Sequence, residues 1–130
     1  MRVLIAGLAG ASLGTEILKS LKVAGGYEIF GCDVSPLAYG LYSKDLSKSF
    51  VVDQATYIDS VIKICIEHHI DVVVPGGEQP MVLLAAHTIE FSNQNILVLS
   101  NSSAVVKLFS DKYNTFDFLK SKGFKIPQTL

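Results

Sequence analysis

Hydrophobic residues along this chain fall into short solid blocks that alternate with longer striped segments. "RVLIAG" (Arg2 to Gly7) is apolar on both parities and stops at a glycine. Such a run predicts a strand covered on both faces. Leu13, Ile17, Leu18 and Leu21 then recur at helical spacing, which predicts a helix from Ser12 to Val23, closed by "AGG". "YEIFGCDV" (Tyr27 to Val34) predicts a second strand whose extension Pro36 blocks. A short third strand is expected near Phe50 to Val52. Ile58, Val61, Ile62, Cys65 and Ile66 form the clearest amphipathic helical stripe. "DVVVPGGE" predicts a fourth strand stopped by Pro75, Gly76 and Gly77. A helix over Glu78 to Phe91 follows, then a fifth strand in "NILVLS" (Asn95 to Ser100) and a polar turn, "NSSA".

Strands alternating with helices predict an α/β fold, with a doubly wound, mainly parallel five-stranded, Rossmann-like sheet over residues 1–109. Ligands of such sheets sit outside the carboxyl ends of the strands. The loops after Ala6, Cys32, Val74 and Leu99 are therefore the ones to inspect for chemistry.

Composition narrows the field. The chain has 130 residues, 49% of them hydrophobic and 18% charged, enough to build one cored domain. A net charge of −1 gives no basic excess for nucleic acid or an anionic membrane surface. The apolar runs are too short to predict a membrane span. Cys32 and Cys65 form neither a disulfide framework nor a paired metal motif, so a reducing cytoplasm is the expected compartment.

Gly7, Gly10 and Gly14 occupy the first βα loop, where glycines let backbone approach a ligand and the helix offers free N–H groups. Asp33, ending the second strand, would suit ribose hydroxyls of NAD. The glycines fall at relative positions one, four and eight, however, whereas the dinucleotide fingerprint needs one, three and six, and Ser12 occupies the sixth. Three readings stay open: an NAD(P)-dependent oxidoreductase or epimerase, a tight turn that only packs the helix on the sheet, and a pocket for another small molecule or anion. Glu78 is either a good helix start, favoured by the dipole, or a crevice carboxylate for an amine or hydroxyl. Adjacent His68 and His69 diverge on a helix and cannot share a metal as an i, i+4 pair can. His87 is expected on a helix surface and Cys65 in the core. No basic group is placed to activate Cys32, and no serine sits in a nucleophile elbow, so no catalytic residue and no metal site is assigned.

The tail, "SDKYNTFDFLKSKGFKIPQTL", reads as a helix capped by Ser110 or Asp111, stopped at Gly123 and barred from resuming by Pro127. Its pattern, D-K-x-x-T-x-x-x-L-x-x-x-G-x-x-x-P-x-T, resembles the junction into the catalytic part of ATP-grasp ligases. Carbamoyl-phosphate synthase large chains and related carboxylate–amine ligases are examples. "VLIAGLAGASLG", "GCDVSPLAYG" and "IDVVVPGGEQ" are similar, in order and spacing, to the first domain of those enzymes, the pre-ATP-grasp domain. The resemblance covers essentially the whole chain.

It implies an N-terminal substrate-side domain of a ligase that works through an acyl phosphate, with residues 110–130 as linker helix and entry to an ATP-grasp domain. Gly7, Gly10, Ala11 and Ser12 would wall the acceptor-substrate pocket, with Asp33 and Glu78 facing it. Lys112 matches the basic residue of the D-K motif that reaches toward nucleotide phosphates; otherwise it is a solvated helix charge. The family's ATP clamp and Mg²⁺-binding acids follow this junction. ATP and Mg²⁺ are thus implied for the full-length enzyme, with none bound tightly here and no ligase activity from these residues alone. The implied partners are a small carboxylate or amine substrate and an ATP-grasp domain, in cis or as a separate subunit. A stand-alone split subunit or ligand sensor is the other reading. It expects an apolar patch near Phe116, Phe118 and Phe124, coverable by a partner or by a second copy in a homodimer.

Overall fold

The computed structural model describes residues 1–9 and 13–127. Five strands form one sheet: β1 (Arg2–Ala6), β2 (Glu28–Asp33), β3 (Lys48–Val51), β4 (Val72–Pro75) and β5 (Leu97–Val98). Their order is β3-β2-β1-β4-β5 and every neighbouring pair is parallel. The α/β, doubly wound, Rossmann-like sheet expected from the alternation is therefore present. The helices are α1 (Leu13–Ala24), α2 (Tyr57–Glu67), α3 (Glu78–Ala86), α4 (Thr88–Ser92), α5 (Ser103–Ser110) and α6 (Lys112–Ser121), with a 3₁₀ turn at Tyr39–Tyr42.

The solid apolar composition of β1 has its cause in two separate cores. Leu4 and Ala6 point to one face, where they meet Val61 and Cys65 of α2, Leu84 of α3 and Phe91 of α4. Ile5 points to the other, with Leu18 of α1, Ile29 and Leu41. Alternate residues of a strand face opposite sides, so a strand covered twice must be apolar throughout. At the amino edge Arg2 ties β1 to β2, to the end of α2 and to the turn that leads into β4. Its N–H donates to Asp71 (2.7 Å), its Nε to Glu28 (2.8 Å) and its Nη1 to the His68 carbonyl (3.1 Å).

Three expectations are corrected. The single helix over Glu78 to Phe91 is two helices, because the backbone at His87 leaves helical space at φ −119°, ψ 17°. The interruption re-aims the second segment so that Phe91 is wholly buried beside Ile96 and Val98. The fifth strand is only Leu97–Val98, an edge strand that follows Asn95 in left-handed backbone (φ 59°). The "NSSA" turn opens directly into α5, whose N-cap Ser102 is one of those serines. α6 follows the expected plan: Asp111 caps it, and Gly123 stops it at φ 81°. Among the described residues no helix is long and apolar enough to cross a membrane.

Candidate functional site

β1 feeds β2 on one side while β4 lies on the other, so the sheet reverses direction between β1 and β4. Doubly wound folds open their ligand crevice at this point. Here backbone fills it. Gly7 adopts φ +105°, its N–H donates to the Cys32 carbonyl (2.8 Å), and the Gly14 N–H donates to the Gly76 carbonyl (2.9 Å). A Cβ on either Gly14 or Gly76 would lie 2.0 Å from the Gly7 carbonyl oxygen. These glycines therefore let α1 and the β4 loop close on the end of β1. One of the first N–H groups of α1 is already spent on that contact. Gly10, Ala11 and Ser12, the rest of the expected substrate wall, lie outside the described residues.

Open space remains on both sides of this closure. Towards β2 and β3, a cavity of about 60 Å³ is lined by Gly7, Asp33, Gln54, Tyr57, Gln79 and Pro80, among others. Asp33 is buried. Its Oδ2 accepts the Leu8 N–H (2.7 Å) and its Oδ1 the Ser35 N–H (2.9 Å), so the carboxylate staples the first loop to the end of β2. Towards β5, an open groove of about 790 Å³ runs between α3 and α5, with Leu13, Glu78, Met81, Val105, Phe109 and Lys112 on its walls. Glu78 and Lys112, distant in sequence, thus face one groove, whereas Gly7 and Asp33 face the other space.

Neither the Glu78 nor the Lys112 side chain has a hydrogen bond or ion pair among the described residues. Glu78 begins α3, where the helix dipole favours a carboxylate. Lys112 begins α6, where the same dipole disfavours a cation. Its position is therefore poor for helix stability and open to an anionic ligand. Among the described residues no three of His, Cys, Asp and Glu converge to hold a metal.

Among the described residues two buried hydroxyls, those of Tyr57 and Ser100, lack a partner, and both lie beyond the carboxyl ends of strands. Neither carried a sequence signal, because an orphaned hydroxyl is defined by what surrounds it. Burial, with Cys32 and Asp33 nearby, pushes the Tyr57 phenol well up, so it stays a neutral donor. Burial likewise raises both thiols, Cys65 to about 12. His68 caps α2 with its ring against Phe30 and Phe50, at 5.6 and 5.0 Å between centroids. His87 sits at the α3–α4 break and bonds Glu90 at 2.9 Å.

Comparison with known proteins places this geometry. Residues 5–99 match the family described as "PylC-like, N-terminal domain". No curated protein matches the sequence. Among solved structures, N5-carboxyaminoimidazole ribonucleotide synthetase from Thermotoga maritima superposes with a TM-score of 0.66 at 19% identity, over 98% of this chain and 32% of that one. Glycinamide-RNase-transformylase T from Mycobacterium tuberculosis gives 0.65 at 16%, over 98% and 36%. The biotin carboxylase domain of Hydrogenobacter thermophilus 2-oxoglutarate carboxylase, in complex with MgADP, ADP and bicarbonate, gives 0.68 at 14%, over 94% and 27%. At such identities the likeness is one of fold, and the chain spans only 27% to 36% of these proteins. They are ATP-grasp enzymes, as the resemblance of the tail and loops implied.

Proposed function

The chain belongs to the PylC-like N-terminal domain family, and on that premise we propose that it is the substrate-side, pre-ATP-grasp domain of an ATP-dependent carboxylate–amine ligase. In this reading ATP phosphorylates a carboxylate, and an amine or similar nucleophile attacks the acyl phosphate, as in carbamoyl-phosphate synthase-like chemistry. The observation that carries it is the groove between α3 and α5, where Glu78 and Lys112 stand unpaired on shared walls. The described residues fit the edge of such a site and not its centre. Lys112 offers one point charge to a nucleotide phosphate. In this reading the Mg²⁺-binding acids belong to the ATP-grasp domain. Glu78 would accept hydrogen bonds from an amine or hydroxyl, and Met81, Val105 and Phe109 would keep water from the groove floor. ATP and Mg²⁺ would supply the activating phosphoryl group and its charge neutralisation. A cytoplasmic ligase with its ATP-grasp domain in cis, or as a separate subunit, fits this reading. Phe124, 63% exposed, then belongs to surface that the partner domain or a second copy would cover.

The test compares native protein, immunopurified from its source cells through this domain, with the isolated 130-residue chain. Both receive Mg·ATP, a panel of carboxylic acids and hydroxylamine, which traps acyl phosphates as hydroxamates. Native material is expected to release ADP and form a hydroxamate, while the isolated chain does neither. Sustained ADP release by the isolated chain, or native material that forms no hydroxamate with any acid, overturns the proposal.

A further inference from the structure

The cavity on the β2–β3 side is separate from the Glu78–Lys112 groove and has a chemistry of its own. Tyr57 is only 6% exposed, and its hydroxyl has no partner among the described residues. Buried hydroxyls are nearly always hydrogen-bonded, so an orphan at a cavity wall marks a missing partner. Asp33, also 6% exposed, lines the same cavity. Its two oxygens each accept one backbone N–H, yet no cation pairs with it among the described residues. A buried carboxylate without a counter-charge is costly. The side-chain amides of Gln54 and Gln79 complete the polar lining, and Val34, Pro80 and Leu83 supply apolar wall.

Gln54, Tyr57 and Leu83 also wall a neighbouring hollow of about 260 Å³, where Asp59 and Glu90 add carboxylates. His87, the cation-capable group there, is bonded to Glu90. Among the described residues neither space has a lysine or arginine in its lining. The inner cavity, at about 60 Å³, has room for roughly four waters or a head group with a short stem.

We propose that this cavity binds the primary ammonium head of a small aliphatic amine, with Asp33 as counter-ion, Tyr57 and Gln79 as hydrogen-bond partners, and the stem leaving through the outer hollow. An ammonium brings three donors and the charge that Asp33 lacks. A carboxylate or phosphate would meet only like charge, and a hydroxyl would leave Asp33 uncompensated. The assignment does not depend on the ligase reading.

The probe is propylammonium, with propanol and propionate as shape-matched controls, titrated into the ¹⁵N-labelled chain at neutral pH and followed by amide NMR. Saturable shifts are expected at Asp33, Gln54, Tyr57 and Gln79 with propylammonium alone. Tyr57→Phe is expected to weaken binding roughly tenfold, as does losing a hydrogen bond to a charged group, without lowering the melting temperature. Gln79→Leu, at an exposed position on α3, is expected to weaken binding with the fold intact. Equal binding of propanol or propionate, no saturable binding, or shifts scattered over surface carboxylates would overturn the proposal. So would a Tyr57→Phe variant that melts lower and binds as before, since the hydroxyl would then serve the fold.

Discussion

Gly14 and Gly76 show what one hydrogen atom in place of a methyl group can decide. Each packs so close to the Gly7 carbonyl that a Cβ would overlap it at 2.0 Å. Gly14→Ala must push α1 off the sheet and is expected to destabilise the chain by roughly 1–3 kcal/mol, or more if the loop cannot yield. Gly25→Ala is the useful control, because nothing lies within 4 Å of that position and only its φ of +70° resists substitution. Urea unfolding of the two variants would check this; equal midpoints would refute the interlock. Asp33 has a second, testable role beside any ligand. Asp33→Ala leaves the buried Leu8 N–H without its 2.7 Å acceptor, and the expected loss is about 1–3 kcal/mol. Unchanged stability would mean that the loop finds another acceptor.

At the scale of elements, the last two helices differ in how firmly they begin. Asp111 accepts the Asn114 N–H at 2.7 Å, whereas Ser102 accepts the Val105 N–H at 3.5 Å. Asp111→Ala should therefore cost about 1 kcal/mol and Ser102→Ala clearly less. Hydrogen exchange of α6 against α5 would read this directly, and the reverse order would contradict the capping geometry. α6 buries no residue fully and rests on α5 through Phe118, edge-on to Phe109 at 5.9 Å. Its amphipathic pattern was plain in the sequence, as were its cap and its glycine stop. The α3–α4 break was not, since Leu84, Ala85 and Phe91 keep one helical period across it. Only the backbone turn at His87 reveals it.

For the molecule as a whole, burial of neutral acids works against the fold at alkaline pH. Cys32, Tyr57 and Cys65 all have raised pKa values, chiefly from desolvation. An unfolded chain releases thiol protons near the ordinary value of 9.0, while the folded chain holds the Cys65 proton to about 12. Between those limits the unfolded state binds fewer protons, so stability falls as pH rises. Their contribution is complete below about pH 9 and lost progressively above it. Denaturation midpoints measured from neutral pH upward should show that decline, and a flat profile to pH 11 would contradict it. Both thiols are buried, so a colorimetric thiol reagent should react with neither in the native chain at neutral pH and with both after denaturation.

The sequence by itself determined the architecture. Short apolar runs on both parities, rich in β-branched residues and stopped by glycine or proline, fit strands covered twice, and their alternation with amphipathic helices points to a parallel doubly wound sheet. It also carried the resemblance to the family, whose match spans the glycine loop and "PGGEQ" within residues 5–99, because the order of such motifs is local information. The tertiary structure alone decided which of these residues meet. It placed Glu78 with Lys112 in one groove and Asp33 with Tyr57 in another, and it set Gly7, Gly14 and Gly76 against one another between them. Contacts between distant segments depend on how the helices pack across the sheet, and no periodicity along the chain encodes an empty space or a hydroxyl left without a partner.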